Sequence, residues 1–96
     1  MLILITYDVS TETAQGKKRL THVARKCLQY GQRVQNSVFE CILDWGQFLT
    51  IQNELKQLIN EKEDSLRFYN LGNKYSSKVI HIGQKPSIPL EGNLVV

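Results

Sequence analysis

The sequence predicts a single small α+β domain in which two helices cover one face of an antiparallel sheet. Three observations predict this class. The chain has 96 residues, which is room for one hydrophobic core. Two segments carry apolar residues at helical spacing, and short apolar runs typical of strands flank them. A hydrophobic fraction of 42% is ordinary for a folded protein and argues against disorder.

The first predicted strand is the apolar run at residues 1–6, which ends in Tyr7 and Asp8. This run is far too short to span a bilayer, and it has neither a basic leader nor a small-residue cleavage site. We therefore expect a cytoplasmic protein with no membrane partner. A carboxylate at the tip of a rigid strand is well placed for a metal ligand or a catalytic acid. Asp8 is the first candidate site residue.

The first helix is predicted between Thr13 and Tyr30. Ser10 and Thr13 are candidate N-caps, and Gly31 is a natural stop because glycine accepts a left-handed conformation after the last turn. One helical stripe is formed by Leu20, Val23, Ala24, Cys27 and Leu28.

This helix also concentrates the positive charge of the chain. The net charge is +3, which alone favours nucleic acid only weakly. The cations cluster here, whereas the acids lie in or near the second helix, so the first helix is the candidate polyanion surface. The cations are Lys17, Lys18, Arg19, Arg25 and Lys26, and the acids are Glu54, Glu61, Glu63 and Asp64.

The second helix is predicted at residues 45–61, where Asp44 and Gln47 resemble a capping box. Val34 and residues 38–43 are predicted to be extended, with an irregularity at residues 35–36. Further strands are expected at residues 66–71 and 79–82, joined by a turn at residues 70–77. The order strand, helix, strand, strand, helix, strand is ferredoxin-like. We assign residues 1–83 to this domain and residues 84–96 to a tail that ends in a short apolar strand.

The first strand is apolar on both faces, yet two helices can cover only one. Exposed large aliphatic side chains forfeit about 1.5–3 kcal/mol each. The sequence therefore predicts a twofold homodimer through the uncovered sheet face, with the tail strand added to the sheet edge of the partner.

Asp8 shares its face with Leu2, Leu4 and Thr6, so a twofold axis through the uncovered face would bring two Asp8 side chains together. Mg²⁺ suits such a pair, since it takes one or two carboxylates and keeps several waters. A water acidified by the metal could attack a phosphodiester. The alternative is that Asp8 caps the first helix or binds backbone in the turn that follows.

Neither the cysteines nor the histidines suggest a further site. Cys27 and Cys41 have no metal-ligand spacing and are expected to be reduced packing residues. His22 and His81 have no acid at catalytic or ligand spacing.

The strand ending in Tyr7 and Asp8, the basic helix and the segment YGQRVQNSVFE at residues 30–40 resemble the "Cas two" family of small CRISPR-associated endonucleases. The resemblance covers nearly the whole chain. Residues 30–41 together with residues 65–69 resemble the branch associated with type I-C systems.

The resemblance implies a symmetric dimer that holds Mg²⁺, or Mn²⁺ in its place, between two copies of Asp8 and cleaves double-stranded DNA or RNA. It also implies a partnership with the CRISPR integrase in spacer acquisition. It makes Tyr7 a neighbour of Asp8 in the site, Arg19 and Arg33 phosphate-facing cations, and Phe39 an aromatic residue at the site edge.

Two functions from different classes follow. The first is a metal-dependent endonuclease in which Asp8, Tyr7 and Arg33 form the site. The second is a non-catalytic DNA-binding scaffold of the integrase complex. In either case the nucleic-acid-binding residues are expected to be Lys17, Lys18, Arg19, Arg33 and Phe39. A ferredoxin-like RNA-binding module is disfavoured, because no glycine-basic motif with aromatics lies on the predicted strands.

Overall fold

The structure is a computed structural model that describes residues 1–84. Four strands form one sheet in the order β2-β3-β1-β4, in which all neighbours are antiparallel. This confirms the predicted ferredoxin-like α+β fold. The predicted tail strand at residues 94–96 lies outside the described residues. The elements in chain order are β1 (Leu2–Asp8), α1 (Ala14–Tyr30), β2 (Gly31–Gln35), β3 (Val38–Ile42), α2 (Trp45–Leu58) and β4 (Ser65–Asn70).

Both helices begin at predicted caps. The Thr13 hydroxyl accepts a hydrogen bond from the Gly16 amide at 3.0 Å at the start of α1. At the start of α2, Asp44 accepts from the Gln47 amide at 2.7 Å, and the Gln47 side chain accepts from the Asp44 amide at 3.0 Å. These hydrogen bonds satisfy amides that have no partner within a helix. The predicted capping box is therefore confirmed.

Helix α2 ends at Leu58 rather than at residue 61. The turn that follows is held by side chains, since the Asn60 amide donates to Asp64 at 2.8 Å and the Lys62 amide donates to Asn60 at 3.0 Å. Polar side chains that bind nearby backbone groups compete with helix formation. The helix gives way to this turn before its predicted end.

Gly31 ends α1 for a different reason from the one predicted. Its φ of −163° is extended, not left-handed, and β2 starts at Gly31 itself. A Cβ at this position would overlap the Glu40 carbonyl oxygen and the Cys41 side chain of β3. Glycine is required here by the close approach of two strands.

Two strand predictions are corrected. The irregularity expected at residues 35–36 is a full hairpin turn at Asn36 and Ser37, which separates β2 from β3. Residues 79–82 form no strand in the described chain, and Ile80 and Ile82 are 83% and 90% exposed. These side chains have no covering element within residues 1–84, so their apolar pattern alone did not produce a strand.

The core lies between the sheet and the two helices. Strand β1 contributes Ile3, Ile5 and Tyr7, all of which are buried. The opposite face of β1 carries Leu2, which is buried, Leu4 and Thr6, which are half-buried, and Asp8, which is exposed. From Ile3 onwards the alternation agrees with helices on one face only. The other face, which no helix of the described residues covers and which is called the uncovered face below, is closed over Leu2 and opens toward Asp8. The other core residues are Val9, Val23, Cys27, Phe39, Cys41, Leu43, Phe48, Ile51 and Leu55.

Candidate functional site

Asp8 is the last residue of β1 and lies on the uncovered face. It is exposed, and its Cα pairs with that of Ser65 at the start of β4. Within residues 1–84 its carboxylate forms no hydrogen bond or ion pair. A rigid strand therefore presents an acid whose oxygens are available to another molecule or ion.

The structure excludes the alternative in which Asp8 caps α1. The cap of α1 is Thr13. In the turn after Asp8, the Ser10 amide donates to the side chain of Asp64 at 3.0 Å. The amide at the start of α1 is therefore bound by Thr13, and the Ser10 amide in the turn is bound by Asp64, so neither binds Asp8.

The uncovered face around Asp8 is apolar at its centre. Register places Leu4, Val38 and Ile42 on this side of β1 and β3, and all three are half-buried. Arg67 of β4 lies over the Tyr69 ring at 5.2 Å, on the same face. Half-buried apolar side chains next to charged groups are found on interaction surfaces.

Glu40 lies within this face, on β3 opposite Leu4. Partial burial raises the pKa of its carboxyl group above the usual value, and the nearby charge of His81 acts in the opposite direction. A carboxylate on a half-covered apolar surface loses hydration, which disfavours its ionised form. Glu40 and Asp8 therefore share a face but differ in environment.

Tyr7, Phe39 and Arg33 form a cluster on the opposite, helix-facing side of the sheet. The rings of Tyr7 and Phe39 are stacked with centroids 6.1 Å apart, and the Arg33 guanidinium lies 5.2 Å from the Phe39 centroid. The Tyr7 hydroxyl donates to the Asn36 carbonyl at 3.4 Å. Burial raises the Tyr7 pKa, and the Arg33 hydrogen bond lowers it by less, so the phenol stays neutral at pH 7.

This cluster lies apart from the Asp8 carboxylate. Tyr7 and Asp8 are consecutive residues of β1, so their side chains leave the strand on opposite faces. Arg33 belongs to the Tyr7 side and does not share a face with Asp8. Phe39 is fully buried and cannot contact nucleic acid in this structure. Phe39 packs in the hydrophobic core.

Tyr7 and Arg33 of this cluster line an open groove of about 580 Å³ between α1 and the β2–β3 turn. Arg25 of α1 and Arg33 of β2 line it from opposite sides, and both are exposed. Asn36 and Ser37 add polar groups at one end. Two cations across an open groove can receive a phosphate group.

Arg19 does not face solvent as a free cation. Its Nε donates to Asp64 at 2.8 Å, and its terminal nitrogen donates to Glu63 at 3.2 Å. The hydrogen bond to Asp64 raises the pKa of Arg19. Two carboxylates thus occupy the guanidinium that was predicted to face phosphate.

Lys17 and Lys18 are exposed on α1 and form no ion pair within residues 1–84. Lys26, in contrast, pairs with Glu54 of α2 at 3.1 Å. The cations of α1 thus separate into those that hold the fold together and those that remain available. Lys17, Lys18 and Arg25 belong to the second group.

Asp64 is the residue that sequence reasoning missed. Its side chain is fully buried beneath Arg19, although the sequence shows it only as part of an acidic stretch. Burial opposes ionisation, but hydrogen bonds from Arg19, Asn60 and Ser10 hold the Asp64 pKa below its usual value. Its partner lies 45 positions away, so no local pattern could reveal the pair.

The described chain supplies a limited set of metal donors. Residues 1–84 contain no group of three or more His, Cys, Asp or Glu side chains arranged to hold an ion. Cys27 and Cys41 are buried free thiols, as expected, and burial raises the pKa of each to about 12. No helix among the described residues is long and apolar enough to cross a membrane.

Comparisons with known proteins point to one family. The profile described as "CRISPR associated protein Cas2" matches residues 1–79. The chain is 60% identical to "CRISPR-associated endonuclease Cas2" of Halalkalibacterium halodurans over 95 residues, 99% of each chain. It is 48% identical to "CRISPR-associated endoribonuclease Cas2" of Chlorobaculum tepidum over 96 residues, the whole of both chains.

The fold is also similar to a solved structure with the same family name. The crystal structure of Streptococcus pyogenes Cas2 superposes with a TM-score of 0.75 at 54% sequence identity. The superposition covers 86% of this chain and 100% of that one. The sequence and the fold therefore agree on the same family.

Proposed function

Since this chain belongs to the Cas2 family of CRISPR-associated proteins, we propose that it is a dimeric, metal-dependent endonuclease that hydrolyses double-stranded DNA or single-stranded RNA. The observation that carries the proposal is the exposed Asp8 carboxylate, which has no partner within residues 1–84 and lies at the margin of the uncovered apolar face. The names of the relatives, endonuclease in one case and endoribonuclease in the other, support the reaction class. We also propose membership of the type I-C-like branch and a cytoplasmic location.

The homodimer is supported by the apolar surface of the isolated chain. The half-buried centre of the uncovered face and the exposed Ile80 and Ile82 leave several large aliphatic groups in contact with water. Burying a fully exposed side chain of this size contributes about 1.5–3 kcal/mol, and burying a half-buried one contributes less. A twofold arrangement through this face brings the two Asp8 residues to the same interface.

The donor set fits Mg²⁺, or Mn²⁺ in its place, when two chains contribute. Each chain offers one exposed carboxylate, and a hard cation takes one or two carboxylates while keeping several waters. A bound ion would supply charge neutralisation and a more acidic water. Asp8 holds the cation in this proposal, and Arg33 with Arg25 binds a phosphate of the same nucleic acid strand in the groove on the other face.

The test is cleavage by purified Asp8→Asn in Mg²⁺. Loss of a direct ligand is expected to lower the rate at least about 100-fold, the upper range for loss of a group that only supports a ligand. Glu61→Gln is the matched control, since it also converts an exposed carboxylate to an amide, but in the loop after α2. Cleavage by Asp8→Asn at the wild-type rate would show that Asp8 is not a ligand.

A second candidate function is the non-catalytic scaffold that holds duplex DNA for the CRISPR integrase. The availability of Lys17, Lys18 and Arg25 on α1 favours it, because a dimer would display these cations twice. Binding would depend on phosphates more than on base identity.

Charge neutralisation tests this candidate. The double variant Lys17→Gln/Lys18→Gln is expected to weaken duplex binding and to reduce the log-log salt slope by about 0.9 for each phosphate that is no longer neutralised. The double variant Lys56→Gln/Lys62→Gln makes the same change in net charge at α2 and beyond it, and should bind like the wild type. Equal effects from both variants would contradict a specific α1 surface.

Partnership with the integrase is tested separately by deleting residues 94–96, which lie outside the described residues. We expect the truncated chain to lose integrase binding while it keeps duplex binding. Spacer acquisition that survives both this deletion and the Lys17/Lys18 change would refute the scaffold function.

A further inference from the structure

Asp64 is the most heavily engaged carboxylate in the described chain. It lies between α2 and β4, and its side chain is fully buried. One oxygen accepts from the Arg19 Nε and from the Asn60 amide, each at 2.8 Å. The other accepts from the Ser10 amide at 3.0 Å and from the Arg19 terminal nitrogen at 3.3 Å. Both oxygens are therefore used in charge-assisted or backbone hydrogen bonds.

These hydrogen bonds converge on the chain segment that carries Asp8. Ser10 is two residues beyond Asp8, and Ser65, the residue after Asp64, is the register partner of Asp8 across β1 and β4. Asp64 thus binds the Asp8 segment through the Ser10 amide and adjoins it through the sheet. Only a few backbone atoms therefore separate Asp8 from the groups that the buried Asp64 carboxylate contacts or adjoins.

Helix α1 holds the same loop residue from the other side. Gly16 lies so close to Ser10 that a Cβ at this position would overlap the Ser10 carbonyl oxygen. The Ser10 amide is bound by Asp64, while its carbonyl is packed against the first turn of α1. This arrangement determines the path of the backbone immediately after Asp8.

The direction of the Asp8 side chain depends on this backbone. Its carboxylate has no hydrogen bond within residues 1–84 that could orient it. The main chain is instead held in place on both sides of Asp8. The β1–β4 ladder holds it before the loop, and the hydrogen bond from the Ser10 amide to Asp64, here called the Ser10 anchor, holds it within the loop. Supporting groups of this kind decide how well a ligand is presented.

We propose that Asp64, held by Arg19, is a positioning residue that fixes the Asp8 carboxylate for binding a divalent cation. The proposal rests on the proposed function for its consequence, cation binding, but its structural part stands on the hydrogen bond and packing of Ser10. Asp64 itself does not touch the ion. It acts through the Ser10 amide, and Arg19 acts by neutralising the buried carboxylate.

Asp64→Asn and Glu63→Gln form the test pair. Glu63 binds the same Arg19 at 3.2 Å and the Asn60 side chain at 3.1 Å, but it makes no hydrogen bond to Ser10. Each variant removes one carboxylate partner of Arg19, and the first alone disturbs the Ser10 anchor. Asp64→Glu keeps the charge with a longer side chain and is the second variant if Asp64→Asn does not fold.

Two readouts separate positioning from general destabilisation, both taken well below the unfolding temperature of each variant. The first is exchange of the Ser10 and Asp8 amide hydrogens, and the second is Mn²⁺ affinity. Asp64→Asn, or Asp64→Glu in its place, is expected to accelerate Ser10 exchange and to weaken Mn²⁺ binding about tenfold, whereas Glu63→Gln changes neither.

The outcomes distinguish the inference from the function on which it rests. Unchanged Ser10 exchange in a folded Asp64 variant overturns the positioning role. Faster Ser10 exchange with unchanged Mn²⁺ affinity also overturns it, because the anchor would then have no effect on Asp8. If the wild type binds no Mn²⁺, the proposed cation site is overturned, and Asp8 amide exchange alone decides whether Asp64 orders this segment.

Discussion

Consecutive residues of β1 lie on opposite faces of the sheet, and their side chains have opposite environments. Tyr7 is buried, stacked on Phe39 and hydrogen-bonded to the Asn36 carbonyl, whereas Asp8 is exposed and has no side-chain partner within residues 1–84. Residues on the helix-facing side are satisfied inside one chain. Apolar side chains on the uncovered side, such as Leu4, are only half-buried by the rest of the chain and still contact water. The contrast separates groups that maintain the fold from groups available to a partner.

Matched truncations on adjacent residues of β1 should show the largest difference between the faces. Ile5→Ala creates a cavity in the core and is expected to cost about 2–5 kcal/mol of unfolding free energy at any protein concentration. Leu4→Ala should cost less in a dilute monomer and should mainly weaken association. Thermal melts across a range of concentrations measure both effects. If the melting temperature of Leu4→Ala depends on protein concentration as strongly as that of the wild type, the dimer interface does not include Leu4.

Two carboxylates extend the comparison to pH. The depressed Asp64 pKa means that folding favours its ionised form, so its stabilisation is complete above its usual pKa of 3.8 and is lost as pH falls below that value. The raised Glu40 pKa has the opposite sign, since folding favours the protonated form and stability falls as pH rises above its usual pKa of 4.5.

Denaturant melts between about pH 3 and pH 7, the range that brackets ordinary carboxyl pKa values, should resolve the two contributions. Asp64→Asn should remove part of the loss of stability on acidification. Glu40→Gln should remove part of the decline above pH 4.5 and leave the acid limb unchanged. If both variants alter the same limb, the assignment of opposite environments is wrong.

The sequence predicts the parts of this contrast that depend on residues close together in the chain, and it misses the parts that depend on distant residues. The alternation of β1 and the Asp44 and Gln47 capping box are local patterns, and the structure confirms both. The turn at Asn36 and Ser37 contains no glycine or proline to mark a hairpin, so the sequence indicates only an irregularity there.

The surroundings of Arg19 and Phe39 differ from those the sequence suggests, and the differences have a common physical cause. The sequence presents Arg19 as a phosphate-facing cation because its partner Asp64 is 45 positions away. Phe39 is expected at a site edge, yet strand pairing with Ile5 places it at the centre of the core. Sequence patterns identify which side chains could bind nucleic acid, but tertiary structure decides which of them are already occupied. Asp8 remains available, and Lys17, Lys18 and Arg33 remain exposed.

The smallest expected change concerns the buried thiols of the helix-covered side. Burial raises the pKa of Cys27 and Cys41 to about 12, so almost no reactive thiolate is present at about pH 8 in the folded protein. We expect both thiols to react with a disulfide reagent only at the rate of unfolding, and quickly in denaturant. Fast labelling of the native protein would show that this side of the sheet opens readily.

The stoichiometry of Mn²⁺ binding is the most direct test of the claim that the uncovered face brings two Asp8 carboxylates to one cation. Titration of the dimer, followed by electron paramagnetic resonance, should give one tightly held Mn²⁺ for every two chains, and Asp8→Asn should abolish it while leaving the dimer intact. One ion per chain, or equal binding by the Asp8→Asn dimer, would contradict a shared site.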